Sequence, residues 1–347
     1  MKRQRVIQLV SNTSVGGVQV LVEMIEAGLT EHGIDVTTLS LGATGSLLHR
    51  LRHLTRTLWT IITARADALF TYHAAASVIG CSLAAIVRVP LRAAHQTAIP
   101  SAIKSGWRRL DRLSGSLGGY THTVINSNAT GIAFDHYPAR YRQRFVLIPH
   151  GVTPVRPLGR RNWRRDLGIS ATATVLVATG RLTDQKNHAV AVAALRLLPE
   201  AHLLIAGDGP NRMALHHAGQ AVPGRLHLVG EIARADIGDV LGAGDIYVFP
   251  SVWETFGLSG VEAGMAGLPI VAADLPVLRE VLDFCPETGL VRFHPPDDAA
   301  AFADAVRSLQ VTPEQRLRQA VRFRARHGAD TMIERYLALL ASARDSK

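Results

Sequence analysis

Two carboxylates, Glu254 and Glu262, lie eight positions apart in the stretch Glu254-Thr255-Phe256-Gly257-Leu258-Ser259-Gly260-Val261-Glu262-Ala263. The short apolar run 246–249 ahead of them reads as a buried strand, which Pro250 and Ser251 end. Small and apolar residues over 260–266 suit a helix packed closely on a sheet. The carboxylates therefore flank a strand-to-helix turn. Gly257 lets the backbone approach a ligand with no Cβ in the way. The N–H groups that start the following helix can hold an anion such as a phosphate. Glu262, one or two turns into that helix, can reach a sugar or ribose hydroxyl. As a bare pair the two are read equally well as a surface glutamate and a helix glutamate.

Cations occur at a similar turn earlier in the chain. The strand-like run 174–179 is followed by Gly180-Arg181-Leu182-Thr183-Asp184-Gln185-Lys186-Asn187, with a helix expected from about Asn187. Arg181 and Lys186 on one loop can neutralise a diphosphate, the arginine through a bidentate fork. A solvated loop with incidental charges is the plainer alternative. Gly16-Gly17 ends the first strand directly before a helix, where doubly wound sheets bind ligands. A flexible turn explains it as well. The glycine pattern of a dinucleotide site is missing there, which disfavours a two-domain dehydrogenase. His73 and His95 each stand at the end of a strand-like run, and a lone histidine is more often structural than catalytic. No Asp-x-Asp occurs anywhere.

These residues need a frame that brings strand ends together. The chain has 347 residues, long for one core and comfortable for two domains. With 47% apolar and 19% charged residues it is a folded globular chain. Strand-like and helix-like pieces alternate from the start, as 5–10, 18–32 and 35–39, and they resume after 163. That pattern implies parallel sheets with right-handed crossovers. Residues 153–162 hold Pro154, Pro157 and Gly159 among several arginines and read as a linker. Helices are expected over 234–241, 298–309, 314–326 and 330–343.

Cys81 and Cys285 are far apart and in no metal or redox spacing, which fits a reducing compartment. The apolar run 6–10 is too short for a signal-peptide core, and 74–87 falls in the range of a buried helix. The expectation is a cytoplasmic protein without a spanning segment. Residues 1–155 carry 16 Lys and Arg against 7 Asp and Glu, whereas 156–347 carry 22 against 21. The basic excess is confined to the first half. It favours nucleic acid, anionic lipid or an anionic acceptor. No nucleic-acid motif accompanies it, so the last two are preferred. In 46–63, Leu47, Leu51, Leu54, Leu58 and Ile61 form a helical stripe beside Arg50, Arg52, His53 and Arg56, with Trp59 near the end. Such a helix either packs on a core with a solvated basic side or lies in a membrane interface. Lys104, Trp107, Arg108, Arg109 and Arg112 repeat the theme.

The filled pattern Glu254-x-Phe256-Gly257-Leu258-x-x-x-Glu262-Ala263 resembles the donor-binding motif of the retaining, family-4-like glycosyltransferases with the GT-B fold. Gly180-Arg181 with Lys186-Asn187 resembles that family's diphosphate motif. Ala94-His95-Gln96-Thr97 is similar to its strand-end histidine that contacts the donor sugar. Ile148-Pro149-His150-Gly151-Val152 resembles its Ile-Pro-Asn-Gly-Val edge, with His150 in place of the usual Asn. The resemblance covers most of the chain and is strongest over 180–263.

It implies an α/β GT-B fold of two Rossmann-like domains facing a central cleft. Residues 1–152 would bind the acceptor, 163–325 the nucleotide-sugar, and the helix 326–347 would pack back on the first domain. It implies catalytic roles for His95, Arg181, Lys186 and Glu254. Donor binding would involve Gly16, Gly17, Arg181, Lys186, Glu254, Phe256, Gly257, Leu258 and Glu262. The donor would be a UDP-sugar or GDP-sugar, with no cofactor and no metal. The acceptor would be a saccharide or a lipid-linked saccharide of bacterial surface polysaccharide synthesis. Anionic membrane would be touched peripherally through the first domain, on the cytoplasmic face, and no nucleic acid would be bound. A sugar-nucleotide epimerase or a non-catalytic nucleotide-sugar binder on the same frame are the alternatives.

Overall fold

The computed structural model describes residues 3–11 and 17–345. It divides into two compact units, Met1–Gly151 with Ala329–Lys347, and Val152–Gly328. Each holds one six-stranded, wholly parallel sheet.

In the first unit the strands are β1 (Arg5–Val10), β2 (Asp35–Ser40), β3 (Ala68–Tyr72), β4 (Leu91–His95), β5 (His122–Ile125) and β6 (Phe145–Leu147), in the order β2-β1-β3-β4-β5-β6. Successive side chains of a strand point to opposite faces, and both faces here are covered. Val6 and Val10 of β1 join Phe70 and Tyr72 of β3 in one apolar cluster, while Ile7, Leu9 and Leu69 join another. The helix Gly17–Glu31 gives Leu21, Val22, Ile25 and Leu29 to the first cluster. The helix Ala329–Asp345 gives it Met332, Ile333, Tyr336, Leu339 and Leu340, so the end of the chain completes the core its beginning started. Each such side chain contributes roughly 1.5–3 kcal/mol by leaving water.

The second unit contains β7 (Thr174–Thr179), β8 (Ala201–Ala206), β9 (Leu226–Gly230), β10 (Ile246–Phe249), β11 (Ile270–Ala273) and β12 (Val291–His294), in the order β12-β11-β10-β7-β8-β9. Leu176, Leu203, Ile205, Val248, Val271 and Phe302 anchor its core. The stretch expected as a linker is tied down here. The Asp239 carboxylate accepts the N–H groups of Gly159, Arg160 and Arg161 at 2.8, 2.9 and 3.1 Å.

Some elements differ from the sequence expectation. The helix expected over 234–241 is a 3-10 turn, Arg234–Asp236, followed by the helix Ile237–Ala243. The basic patch 104–112 opens the helix Ser105–Ser116. The helix Leu47–Thr63 forms as expected, with the Ser46 hydroxyl capping it through His49 N–H. Its stripe is only half used, because Thr57 and Ile61 are buried while Leu47, Leu48 and Leu51 are exposed.

Burial keeps several histidines neutral. It holds His95 down to about 3 and His150, His188 and His327 down to about 4. These pKa values lie below the unfolded value of about 6.5, so between roughly pH 4 and 6.5 the unfolded chain binds more protons than the folded one. Stability therefore rises with pH across that window and is fully present above it. Thermal melting at pH 7.5 and pH 5.0 is expected to show a lower transition temperature at pH 5.0. An unchanged transition would contradict these burials.

Candidate active site

In the second sheet the chain order reverses between β7 and β10, which lie side by side. Ligands of doubly wound sheets bind at the carboxyl ends of such a pair. The loop after β7 carries Arg181 and Lys186. The loop after β10 carries Glu254 and Gly257. Topology thus brings together two segments 68 residues apart, and their side chains meet. Lys186 Nζ donates to Glu254 Oε1 at 2.5 Å, and Ser251 Oγ donates to the same oxygen at 3.0 Å. Two further bonds clip the loops, Val252 N–H to Gln185 O at 2.9 Å and Gln185 Nε2 to Trp253 O at 3.1 Å.

The first loop is braced from behind. Gly180 N–H donates to Ala206 O at 2.9 Å and Leu182 N–H to Asp208 O at 3.0 Å. Gly207, at φ +150°, lies so close that a Cβ there would stand 1.9 Å from Gly180 O. A 3-10 turn, Asp184–Lys186, then leads to Asn187, which is left-handed at φ 46°. The Asn187 amide anchors to Pro296 O at 2.9 Å, and the helix His188–Ala194 follows. Lys186 Nζ lies 5.1 Å from the centre of the Phe249 ring. Arg181 is exposed, and among the described residues it makes no salt bridge.

At the second turn, Gly257 has φ 92° and caps the helix Leu258–Met265. A Cβ there would also meet the Phe249 ring at 2.8 Å. Two independent constraints therefore require glycine. Phe256 is buried, with its ring against His327 at 5.7 Å. The first N–H groups of the helix from Leu258 have no partner within it. Glu262 lies on this helix with its side chain 7% exposed, in an ion pair with Arg234. Burial raises its pKa, and the Arg234 guanidinium opposes that rise. Arg234 is the site residue that sequence reasoning missed. Its only signal is a lone cation just past β9, at the same sheet edge.

His95 is buried, and both its ring nitrogens are engaged inside the first unit. Nδ1 donates to Thr71 O at 3.1 Å, and Nε2 accepts the Tyr336 hydroxyl at 2.9 Å. The ring stacks on Tyr72 at 4.4 Å. In this structure it packs as a core histidine. His73, at the end of β3, has the more unusual environment. Its backbone is at φ 70° and ψ 148°, a region normally left to glycine, and its Nδ1 is buried without a partner among the described residues. His150 is buried and its Nε2 accepts the Asn126 amide at 2.9 Å, so an asparagine amide lies beside the position where His replaces Asn. Gly17 begins its helix and is exposed, while Gly16 lies outside the described residues.

The same architecture occurs in solved structures. Anabaena Alr3699/HepE in complex with UDP and glucose superposes with a TM-score of 0.81 at 20% identity, over 98% of this chain and 100% of that one. Sucrose-phosphate synthase from Thermosynechococcus elongatus gives 0.80 at 18% identity, over 99% and 100%. The fold is GT-B. Residues 173–310, which include Arg181, Lys186, Arg234, Glu254 and Glu262, match the model of the glycosyl transferases group 1 family. A GDP-mannose-dependent alpha-(1-6)-phosphatidylinositol dimannoside mannosyltransferase of Mycobacterium tuberculosis is 30% identical over 203 residues, 56% of this chain and 51% of that protein. A 2-deoxystreptamine N-acetyl-D-glucosaminyltransferase of Streptomyces fradiae is 30% identical over 207 residues, 55% and 48%. The chain spans about half the length of these curated relatives.

Proposed function

We propose that the protein is a retaining glycosyltransferase that moves a sugar from a nucleoside-diphosphate sugar to a saccharide or lipid-linked saccharide of bacterial surface polysaccharide synthesis. The observation that carries this is the convergence of Arg181 and Lys186 after β7 with Glu254 and Gly257 after β10 at one switch point. Arg181 and Lys186 bind the diphosphate and offset its growing charge as it leaves, the role a metal ion plays in other transferases. The N–H groups of Leu258 and Ser259, at the start of the helix, add to that. Glu254 accepts a sugar hydroxyl. Glu262, paired with Arg234, accepts the ribose hydroxyls. The leaving phosphate takes the acceptor proton, so no protein base is required, and neither glutamate is assigned as a nucleophile. The acceptor is assigned to the basic first unit.

Slow hydrolysis of a bound donor tests the reaction class. Proton NMR of the released sugar should first show the anomer present in the donor. The opposite anomer would mean inversion, an epimerised sugar would mean an epimerase, and no release or transfer at all would mean a binding protein.

Membrane contact through the helix Leu47–Thr63 belongs to the same proposal. Leu47 is 72% exposed and Trp59 is 65% exposed, and Arg50, Arg52 and Arg56 are exposed beside them. No helix among the described residues is long and apolar enough to cross a membrane. Each arginine near an anionic surface is worth about 1 kcal/mol. Changing all three to alanine should therefore weaken binding to anionic liposomes about a hundredfold at low salt. Unchanged binding would remove this surface from the proposal.

A further inference from the structure

We infer that the Lys186–Glu254 pair couples the two halves of the donor, so that the site prefers an intact nucleoside-diphosphate sugar to the nucleoside diphosphate left after transfer. This rests on the donor-site reading above. The two side chains are only 19% and 9% exposed, and they neutralise each other at 2.5 Å. The Lys186 stem passes over Gly180, where an added Cβ would lie 3.5 Å from its Cε. Glu254 Oε1 also accepts the Ser251 hydroxyl, so its ordinary partners are one cation and one hydroxyl.

A diphosphate attracted to Lys186 must draw the ammonium away from this carboxylate. A buried carboxylate deprived of its cation is strongly disfavoured. A sugar attached to the diphosphate removes that penalty, because its hydroxyls donate to Glu254 as the ammonium turns to the phosphates. The full attraction of Lys186 is then available only to a ligand that brings an anion and a hydroxyl together. Once the sugar has been transferred, the nucleoside diphosphate supplies the anion alone. Lys186 returns to Glu254 and the product is released. The chain discriminates substrate from product by an ion pair of its own, without a moving lid.

Calorimetric titration of UDP, UDP-glucose, GDP and GDP-mannose into the full chain tests this, comparing wild type with Glu254→Gln. The amide keeps the size and removes the charge, which frees Lys186. For the nucleotide series that binds, the diphosphate alone should bind about tenfold more tightly to Glu254→Gln than to wild type, the scale of one charge-assisted contact. The sugar-linked form should not gain, so the preference for it falls by about tenfold or more. Weaker or unchanged diphosphate binding with the preference intact would overturn the coupling while leaving the donor site standing. It would mean that Lys186 serves phosphate and carboxylate at once. If wild type bound none of the four, the donor-site reading and the coupling would fall together. Melting of Glu254→Gln within a few degrees of wild type shows that the variant is folded. A poorly folded Glu254→Gln is replaced by Ser251→Ala, which makes Glu254 more dependent on Lys186 and should raise the preference for the sugar-linked form. An unchanged or lowered preference there would equally overturn the coupling.

Discussion

Lys186→Met is expected to lower sugar transfer by about 10²–10³-fold, mostly in kcat, because it removes a preorganised cation from the point where charge develops on the leaving diphosphate. It also strips Glu254 of the cation bonded to it at 2.5 Å, leaving the Ser251 hydroxyl as the remaining partner at 3.0 Å. Breaking a buried pair from one side costs about 3–5 kcal/mol at its upper end, so the second unit should also melt earlier. Lys186→Arg should recover little. The lysine stem passes close over Gly180, and a planar guanidinium does not reproduce the compact ammonium between carboxylate and ring. Steady-state kinetics with the donor found by titration checks this. A loss below about tenfold would take Lys186 out of the reacting centre.

Gly207→Ala should be the most damaging single methyl in the second unit. Its Cβ would stand 1.9 Å from Gly180 O and 2.8 Å from Gly180 C, and φ is +150°. Both neighbours are backbone, so no rotamer change relieves the clash. Either the β7 turn or the β8 turn must move, and the β7 turn positions Arg181 and Lys186. A cost above about 4 kcal/mol is expected, equivalent to a fall of roughly 8–16 °C in the melting temperature of a unit this size. Gly224 supplies the control. It also has positive φ, +70°, but nothing lies within 4 Å of its added Cβ. Gly224→Ala should therefore cost only the backbone strain of about 1–3 kcal/mol. Calorimetric scans of the two variants check the contrast, and equal transitions would contradict it.

Much of this frame was legible before any coordinates. β1, β7 and β10 coincide with the strands expected from their apolar runs; Gly180 closes β7, and Asp245 and Pro250 bracket β10. The loops holding Arg181, Lys186 and Glu254 were legible as well, since each follows a strand and precedes a helix, and Glu262 falls on the second of those helices. The partners were not. Which cation meets which carboxylate depends on β7 and β10 being neighbours, a fact of sheet order that no local pattern encodes. Arg234 stayed hidden because its partner is 28 residues away on another element. His95 kept its partner hidden for a similar reason. Its strand-end position is right, but the hydroxyl that occupies Nε2 arrives from Tyr336, 241 residues later. The helix Leu47–Thr63 shows a further limit. Periodicity locates the apolar stripe, but only packing decides that Ile61 is covered while Leu47 and Leu51 stay exposed.

The most direct test of the central claim is titration of UDP-, GDP-, ADP- and dTDP-sugars into wild type and Lys186→Met, read by the shift in melting temperature. A ligand that binds only the folded chain raises its stability by mass action. The expected result is stabilisation by one nucleotide series in wild type, lost in Lys186→Met. No shift with any donor, or an equal shift in both proteins, would contradict a diphosphate held at Lys186.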